Sequence, residues 1–132
     1  MEILNVFVAG VASFMFGAIW YSVLAKPWVA VSGVAVDPDT GKPANASNPK
    51  PYVIGVIAAI LVAGMMRHIF SGSGVDTVWE GAVSGLGIGA FLASPWLATN
   101  YGFAGRPMRL ILIDGGYATF GCAIIGIVLT LF

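Results

Sequence analysis

Four long apolar blocks occupy most of this 132-residue chain, over about residues 3–24, 52–70, 75–99 and 107–132. Each block is close to the roughly 20 residues that an α-helix needs to cross the hydrocarbon of a bilayer. Only 9% of the residues are charged, whereas about a quarter are charged in a typical soluble domain. The sequence therefore predicts an all-α integral membrane protein, with residues 1–132 forming a single four-helix domain embedded in the lipid bilayer.

Several classes of function are disfavoured by the composition. The net charge is zero, so no nucleic-acid partner is expected. One histidine and one cysteine cannot form a metal site of His and Cys ligands within one subunit. The sequence contains no P-loop and no G-x-S-x-G nucleophile motif, and Gly85–Gly89 fits helix packing better than dinucleotide binding. We therefore expect no catalytic residues, no metal and no cofactor.

Basic residues are distributed unequally between the two sides of the predicted bundle. Four spans place both termini and the short 71–74 turn on one side, together with Arg67. The opposite side, which includes the polar connection 26–51, holds Lys26, Lys42, Lys50, Arg106 and Arg109. The positive-inside rule assigns the richer side to the cytoplasm, so both termini are expected outside, in a cell inner (plasma) membrane. The first block has no basic n-region and exceeds the roughly 7–15 residues of a signal-peptide core, which favours a retained helix.

Small residues at helical spacing predict close helix packing. They are Gly10, Ser13 and Gly17 on span 1, and Gly81, Gly85 and Gly89 on span 3. On roughly the opposite face of span 3, a polar stripe is expected from Asp76, Glu80 and Ser84, continuing through Gly87 to Ser94. A helix with two specialised faces is expected in the centre of the bundle, and Pro95 predicts a kink. The short turn predicts that spans 2 and 3 are antiparallel neighbours.

The polar stripe allows two interpretations at its outer end. Acids at positions 76 and 80 favour the positive end of the helix dipole, which is typical of a solvated helix start. Alternatively, they form the mouth of a cation path, or one of them bridges to Arg67 or His68.

The densest group of hydrogen-bonding side chains is predicted on the cytoplasmic side, where spans 1 and 3 end and span 4 begins. This predicted cluster comprises Trp20, Tyr21, Ser22, Asn100, Tyr101, Arg106, Arg109, Asp114 and Tyr117. Asp114 lies about seven residues into span 4, or roughly 10 Å at 1.5 Å per residue. A carboxylate at that depth should face the bundle interior, with Arg106, Asn100 or Tyr21 as its partner. It is either a structural staple for the preceding connection or a site for a solute or proton.

Four motifs in this order resemble a known family of small bacterial membrane proteins. They are Gly17-Ala-Ile-Trp20-Tyr21-Ser22, Lys26-Pro-Trp28 with Ser32-Gly33, Thr99-Asn100-Tyr101-Gly-Phe103-Ala-Gly105-Arg106-Pro107, and Leu112-Ile-Asp114-Gly-Gly-Tyr117. The family is the domain of unknown function 1761 (DUF1761), and the resemblance covers essentially the whole chain. It implies a compact four-helix membrane domain and suggests that the cytoplasmic-side cluster is characteristic of the family. It implies no activity.

Two main functions remain open on the sequence. The first, which the sequence favours, is a small-solute or ion transporter or channel, assembled as a homo-oligomer through the glycine ridge of span 3. The second is an accessory or structural subunit that packs against a larger membrane protein complex. A transporter needs the polar stripe to face a cavity continuous with Asp114, whereas an accessory subunit needs a closed stripe and an outward face for a partner. A lipid-directed enzyme using Asp114 or Glu80 as a general base is a third and weaker interpretation.

Overall fold

Helices dominate the computed structural model, which describes residues 2–132. Its α-helices are α1 (Glu2–Val23), α2 (Ala25–Ser32), α3 (Pro49–Ser73), α4 (Val78–Ile88), α5 (Ser94–Phe103) and α6 (Met108–Leu131). A π-helical turn, Gly89–Ala93, joins α4 to α5, so that Val78–Phe103 forms one continuous helical span. Within residues 2–132 there is no β-strand beyond an isolated bridge between Val36 and Pro43. The predicted all-α fold is confirmed, with four helices long and apolar enough to cross a membrane.

The helix ends follow local sequence signals. Asn48 begins α3 by accepting a hydrogen bond from the Lys50 amide, and Gly74 ends it in the left-handed conformation. Thr77 and Glu80 form a reciprocal capping box at the start of α4, an arrangement that satisfies two backbone amides left free at a helix N-terminus. Glu80 therefore occupies the first turn of α4, as expected for a helix start.

The central helix of the bundle is α6, which packs against α1, α3, α4 and α5. Among the other spans, α4 packs extensively only on α6. The expectation that span 3 is central is therefore wrong. Only one of its two unlike faces packs against other helices of this chain. Spans 2 and 3, expected to be antiparallel neighbours, are joined by the short turn but do not pack along their lengths. Instead, α3 packs on α1 and α6, with Met66 and Phe70 against α6.

The glycine ridge of span 3 is the face that contacts α6. Gly81 faces the Gly126 carbonyl, Gly85 faces the Cys122 carbonyl and Gly89 faces the backbone of Thr119, each so closely that a Cβ would overlap the facing atoms. The ridge is thus buried inside the subunit. Its interpretation as a face for homo-oligomer assembly is wrong, since α6 of the same chain already covers it.

The π-helical turn changes which residues share a face. Gly81, Gly85 and Gly89 are spaced by four residues, but the next residue that reaches α6 is Ser94, five positions further on. Ser94 was expected on the polar stripe at 100° per residue, and this expectation is wrong because a π turn inserts one extra residue. The turn immediately precedes Pro95, near the predicted kink, and the Ser94 amide donates to the Gly89 carbonyl.

Small residues also bring α1 close to its neighbours. A Cβ at Gly10 would lie 2.8 Å from Ile60 Cα of α3, and one at Gly17 would lie 2.7 Å from Tyr117 Cε1 of α6. A core of Ala9, Ala63, Met66, Phe70, Cys122, Ile125 and Leu129 lies between the three helices. Polar side chains lie at both ends of the bundle. We call these the Asp114 end, where α1 and α5 end and α6 begins, and the Arg67 end, where α3 and α6 end and α4 begins.

Candidate functional site

Asp114 on α6 joins three of the four spans through its carboxylate. The Tyr21 hydroxyl of α1 donates a hydrogen bond of 2.6 Å to Oδ1, and the Tyr101 hydroxyl of α5 donates one of 2.7 Å to Oδ2. Both contacts are partly buried. Short bonds from hydroxyl groups to an ionised carboxylate are among the stronger hydrogen bonds in proteins. Tyr21, one of the three partners predicted for Asp114, is thus confirmed as a partner. The second partner, Tyr101, is not among those predicted.

No basic side chain among residues 2–132 lies within 4.0 Å of the Asp114 carboxylate. Arg106 instead donates a 2.8 Å hydrogen bond to the Val31 carbonyl in the last turn of α2. The last carbonyls of a helix have no partner within it, and Gly33 ends α2 in the left-handed conformation beside the guanidinium group. The expectation that Arg106 locks Asp114 is wrong, because Arg106 caps α2.

Aromatic side chains pack around Tyr21, one of the two donors to the Asp114 carboxylate. The Tyr21 ring makes edge-to-face contacts with Trp28 of α2 and Tyr117 of α6, at centroid distances of 5.8 and 5.5 Å. Trp20 donates through Nε1 to the Ile113 carbonyl at 2.9 Å, and its ring packs where a side chain at Gly116 would clash. These contacts hold Tyr21 in place beside the carboxylate.

The predicted cluster is therefore only partly assembled. Trp20, Tyr21, Tyr101, Asp114 and Tyr117 come together, with Arg106 attached at the edge through α2. Three predicted members have other positions. Ser22 donates to the Ala18 carbonyl of its own helix, while Asn100 and Arg109 are exposed.

The second polar stripe lies at the Arg67 end and is largely local. The Glu80 carboxylate accepts from the amides of Asp76 and Thr77, at 3.3 and 3.2 Å. Arg67 pairs with Glu2 at 3.3 Å, so the suggested bridges from Asp76 or Glu80 to Arg67 or His68 are not formed within residues 2–132. Ser84 is partly exposed on a flank of α4.

Asn5 is a buried polar residue that the sequence reasoning missed. Its side chain is 2% exposed and donates through Nδ2 to the carbonyls of Leu129 and Phe132. Asn5 thereby ties the start of α1 to the end of α6. An amide within an apolar membrane helix must face the protein interior, and this signal would have identified it.

The Asp114 cluster has a restricted chemistry. Within residues 2–132, no group of three or more His, Cys, Asp or Glu side chains is arranged to hold a metal ion. A partly buried carboxylate with two phenol donors can act as a staple between helices, or it can bind a proton or a cation.

Gly33 provides a test of how α2 is joined to this cluster. Gly33 and Gly41 both have positive φ angles, 76° and 70°, but a Cβ would meet Arg106 Nη2 at 2.7 Å only at Gly33. We expect Gly33→Ala to reduce the free energy of unfolding by about 1 kcal/mol more than Gly41→Ala, because it also displaces Arg106 from the Val31 carbonyl. Chemical unfolding in detergent measures both variants, and equal losses would contradict a stabilising role for this contact.

Comparison with known proteins identifies the family. The model of a family described as a protein of unknown function (DUF1761) matches residues 4–130. No curated protein and no solved structure matches the chain significantly. Because the family match spans nearly the whole sequence, and with it the four helices and the Asp114 cluster, the chain belongs to the DUF1761 family.

Proposed function

We propose that this protein is an accessory, non-conducting subunit that packs against a larger membrane protein complex. The observation that carries the proposal is the separation of the two polar regions. The Asp114 carboxylate is paired with two side chains of the same chain, and the polar stripe of α4 does not reach it.

The pairing of both carboxylate oxygens supports a structural role for Asp114. Each carboxylate oxygen accepts a hydrogen bond from a different helix, and aromatic rings pack around one of the two donors. A solute that binds the carboxylate would have to compete with these two phenols. An acid held in this way fixes α1 and α5 against α6.

The discontinuity of the stripe supports the same conclusion. Ser94, which would continue the stripe towards the Asp114 end, bonds the Gly115 carbonyl at 2.9 Å and the Thr119 hydroxyl at 3.1 Å. Its polar group is therefore used between α5 and α6. A conducting route through one subunit would need a continuous run of polar side chains or backbone groups.

The outer flank of α4 is the proposed contact surface for the larger complex. It carries Ser84 and Gly87, and a Cβ at Gly87 would meet no atom within 4 Å. Small residues allow the backbone of a partner helix to approach closely. Since α4 packs extensively on α6 alone among the spans, this flank is open to another membrane protein.

Site-directed cross-linking tests the proposal. In a Cys122→Ala background, Gly87→Cys should form disulfide-linked or bifunctional cross-linked products with another membrane protein in native membranes. Leu61→Cys, at a position 69% exposed on α3, is the matched control and should give far less product. Equal labelling at both positions, or cross-links only between copies of this chain, would contradict the proposal.

A small-solute or ion transporter or channel, working as a homo-oligomer, is the second candidate. It is favoured because no basic side chain of residues 2–132 pairs with Asp114 within 4.0 Å, and an unpaired acid in a membrane span often marks an ion or proton path. In liposomes, a proton or cation flux that Asp114→Asn abolishes, from a particle of fixed size by native mass spectrometry, would establish this candidate. Flux equal to that of protein-free vesicles is expected for an accessory subunit.

The proposed location is the bacterial inner membrane, with both termini outside the cytoplasm. The distribution of five basic residues against one supports it. A membrane-impermeant thiol reagent should therefore label a cysteine at Ser73 in intact cells and leave one at Thr40 unlabelled.

A further inference from the structure

A cavity of about 340 Å³ lies at the Arg67 end, away from the Asp114 cluster. The end of α3, the turn that follows it and the end of α6 form its walls. Its volume is at the lower end of the roughly 300–1,000 Å³ of small-molecule sites. It is large enough for a headgroup and too small for a whole lipid.

Arg67 contributes a positive charge that the chain compensates weakly. Its bonds to Glu2 and to the Leu129 carbonyl are both 3.3 Å long, and the Glu2 side chain is 73% exposed. Nη1 and Nη2 make one of these bonds each, so each of them keeps a further N–H donor. A guanidinium group with free N–H donors is well suited to a phosphate.

Asp76 contributes a negative charge to the same cavity. No basic side chain of the described chain lies within 4.0 Å of its carboxylate. Arg67 and Asp76 thus line one cavity without pairing with each other. An isolated anion would be opposed by Asp76 and an isolated cation by Arg67, so a ligand that carries both charges matches the cavity best.

The remaining walls fit a headgroup joined to apolar chains. Ser71, one turn after Arg67 on α3, adds a hydroxyl group, while Phe70 and Val75 supply apolar surface. The cavity is at the ends of membrane-length helices, which is the level of lipid headgroups. We propose that it binds a phosphate–ammonium zwitterion, the headgroup of an aminophospholipid, with the phosphate at Arg67 and the ammonium group at Asp76.

Lipid retention in native mass spectrometry tests this proposal. The purified full chain is mixed with equal amounts of phosphatidylethanolamine and phosphatidylglycerol with identical acyl chains. We expect about tenfold preferential retention of phosphatidylethanolamine, because only this lipid supplies the ammonium group and one charge-assisted contact changes affinity by about that factor. Asp76→Asn should equalise the two lipids, and Arg67→Gln should weaken the retention of both.

Controls separate the proposal from general lipid binding and from misfolding. Asp39→Asn and Arg109→Gln, which alter exposed charges elsewhere, should leave the preference unchanged. Asp76 is exposed and outside the helices, so its variant remains informative even if Arg67→Gln fails to fold. Equal retention of the two lipids by the wild type, or an unchanged preference in Asp76→Asn, would overturn the proposal.

A soluble competitor distinguishes a membrane lipid from a free compound that carries the same phosphate and ammonium groups. If millimolar O-phosphoethanolamine displaces the retained lipid, recognition resides in the zwitterion alone and a free compound can occupy the cavity. If the lipid is retained, the acyl chains contribute and the ligand is a membrane lipid. The outcome of the accessory-subunit test does not affect either result, because the cavity and the outer flank of α4 are separate surfaces.

Discussion

Gly85→Ala is expected to lower the free energy of unfolding by about 2–3 kcal/mol, near the upper end of the usual cost of adding a methyl group to a packed interior. A Cβ at Gly85 would overlap the Cys122 carbonyl and lie 3.0 Å from Ala123 Cα, both of which belong to the backbone of α6. A rigid backbone cannot move aside as a flexible side chain can. The two helices must therefore separate, and contacts along the rest of α4 weaken with them.

Gly87→Ala is the matched control on the same helix. A Cβ at Gly87 would meet no atom within 4 Å. The gain in helix propensity, about 1 kcal/mol at either position, should appear only here as a small stabilisation. Thermal unfolding in one detergent measures both variants, and similar stabilities would mean that α4 does not pack on α6 through its glycine ridge.

Asp114→Leu is expected to destabilise the protein by about 2 kcal/mol, since it leaves two partly buried phenols without their acceptor. Hydrogen bonds to charged groups contribute about 1.5–3 kcal/mol in water-soluble proteins. Side-chain bonds within membrane bundles average only about 0.6 kcal/mol, with a maximum of about 1.7. Two bonds of about 1 kcal/mol each, between the membrane average and the maximum, give the expected loss.

A double-mutant cycle separates this effect from a change in packing. Tyr21→Phe and Tyr101→Phe should each destabilise the wild-type protein and have little effect in the Asp114→Leu background. Tyr52→Phe removes an exposed hydrogen bond to the Ala46 carbonyl, away from Asp114. It is the control and should have the same small effect in both backgrounds. An increase in stability on Asp114→Leu would contradict a staple and favour the transport candidate, in which the acid is kept at a cost to stability.

Hydropathy was sufficient to predict the four spans, because the hydrocarbon thickness fixes both the length and the composition of a membrane helix. Small-residue spacing also located Gly81, Gly85 and Gly89 on one face, the face that contacts α6. The position of span 3 in the bundle could not be predicted in the same way. Periodicity reveals that a helix has two unlike faces, but not which of them is covered by the same chain.

The candidate site was predictable in its location but not in its pairing. The sequence predicts Tyr21 and Tyr101 at one level with Asp114, but it leaves Arg106, Asn100 and Tyr21 open as partners of the carboxylate. Arg106 instead donates to a carbonyl in the last turn of α2. Such a carbonyl has no partner within the helix, because Gly33 ends it. Similarly, Ser94 was misplaced because a constant 100° per residue cannot anticipate a π-helical turn.

The position of α6 at the centre of the bundle also affects how the molecule is made. The spans α1, α3 and α4–α5 precede it in the chain, yet the glycine ridge of α4 finds its cover only when α6 is in the bilayer. At a translation rate of roughly 5–20 residues per second, the residues of α6 take on the order of a few seconds to synthesise. During this interval the ridge is open to lipid and to the helices of any chaperone or insertase nearby. The bundle can therefore complete its packing only after α6 has been inserted.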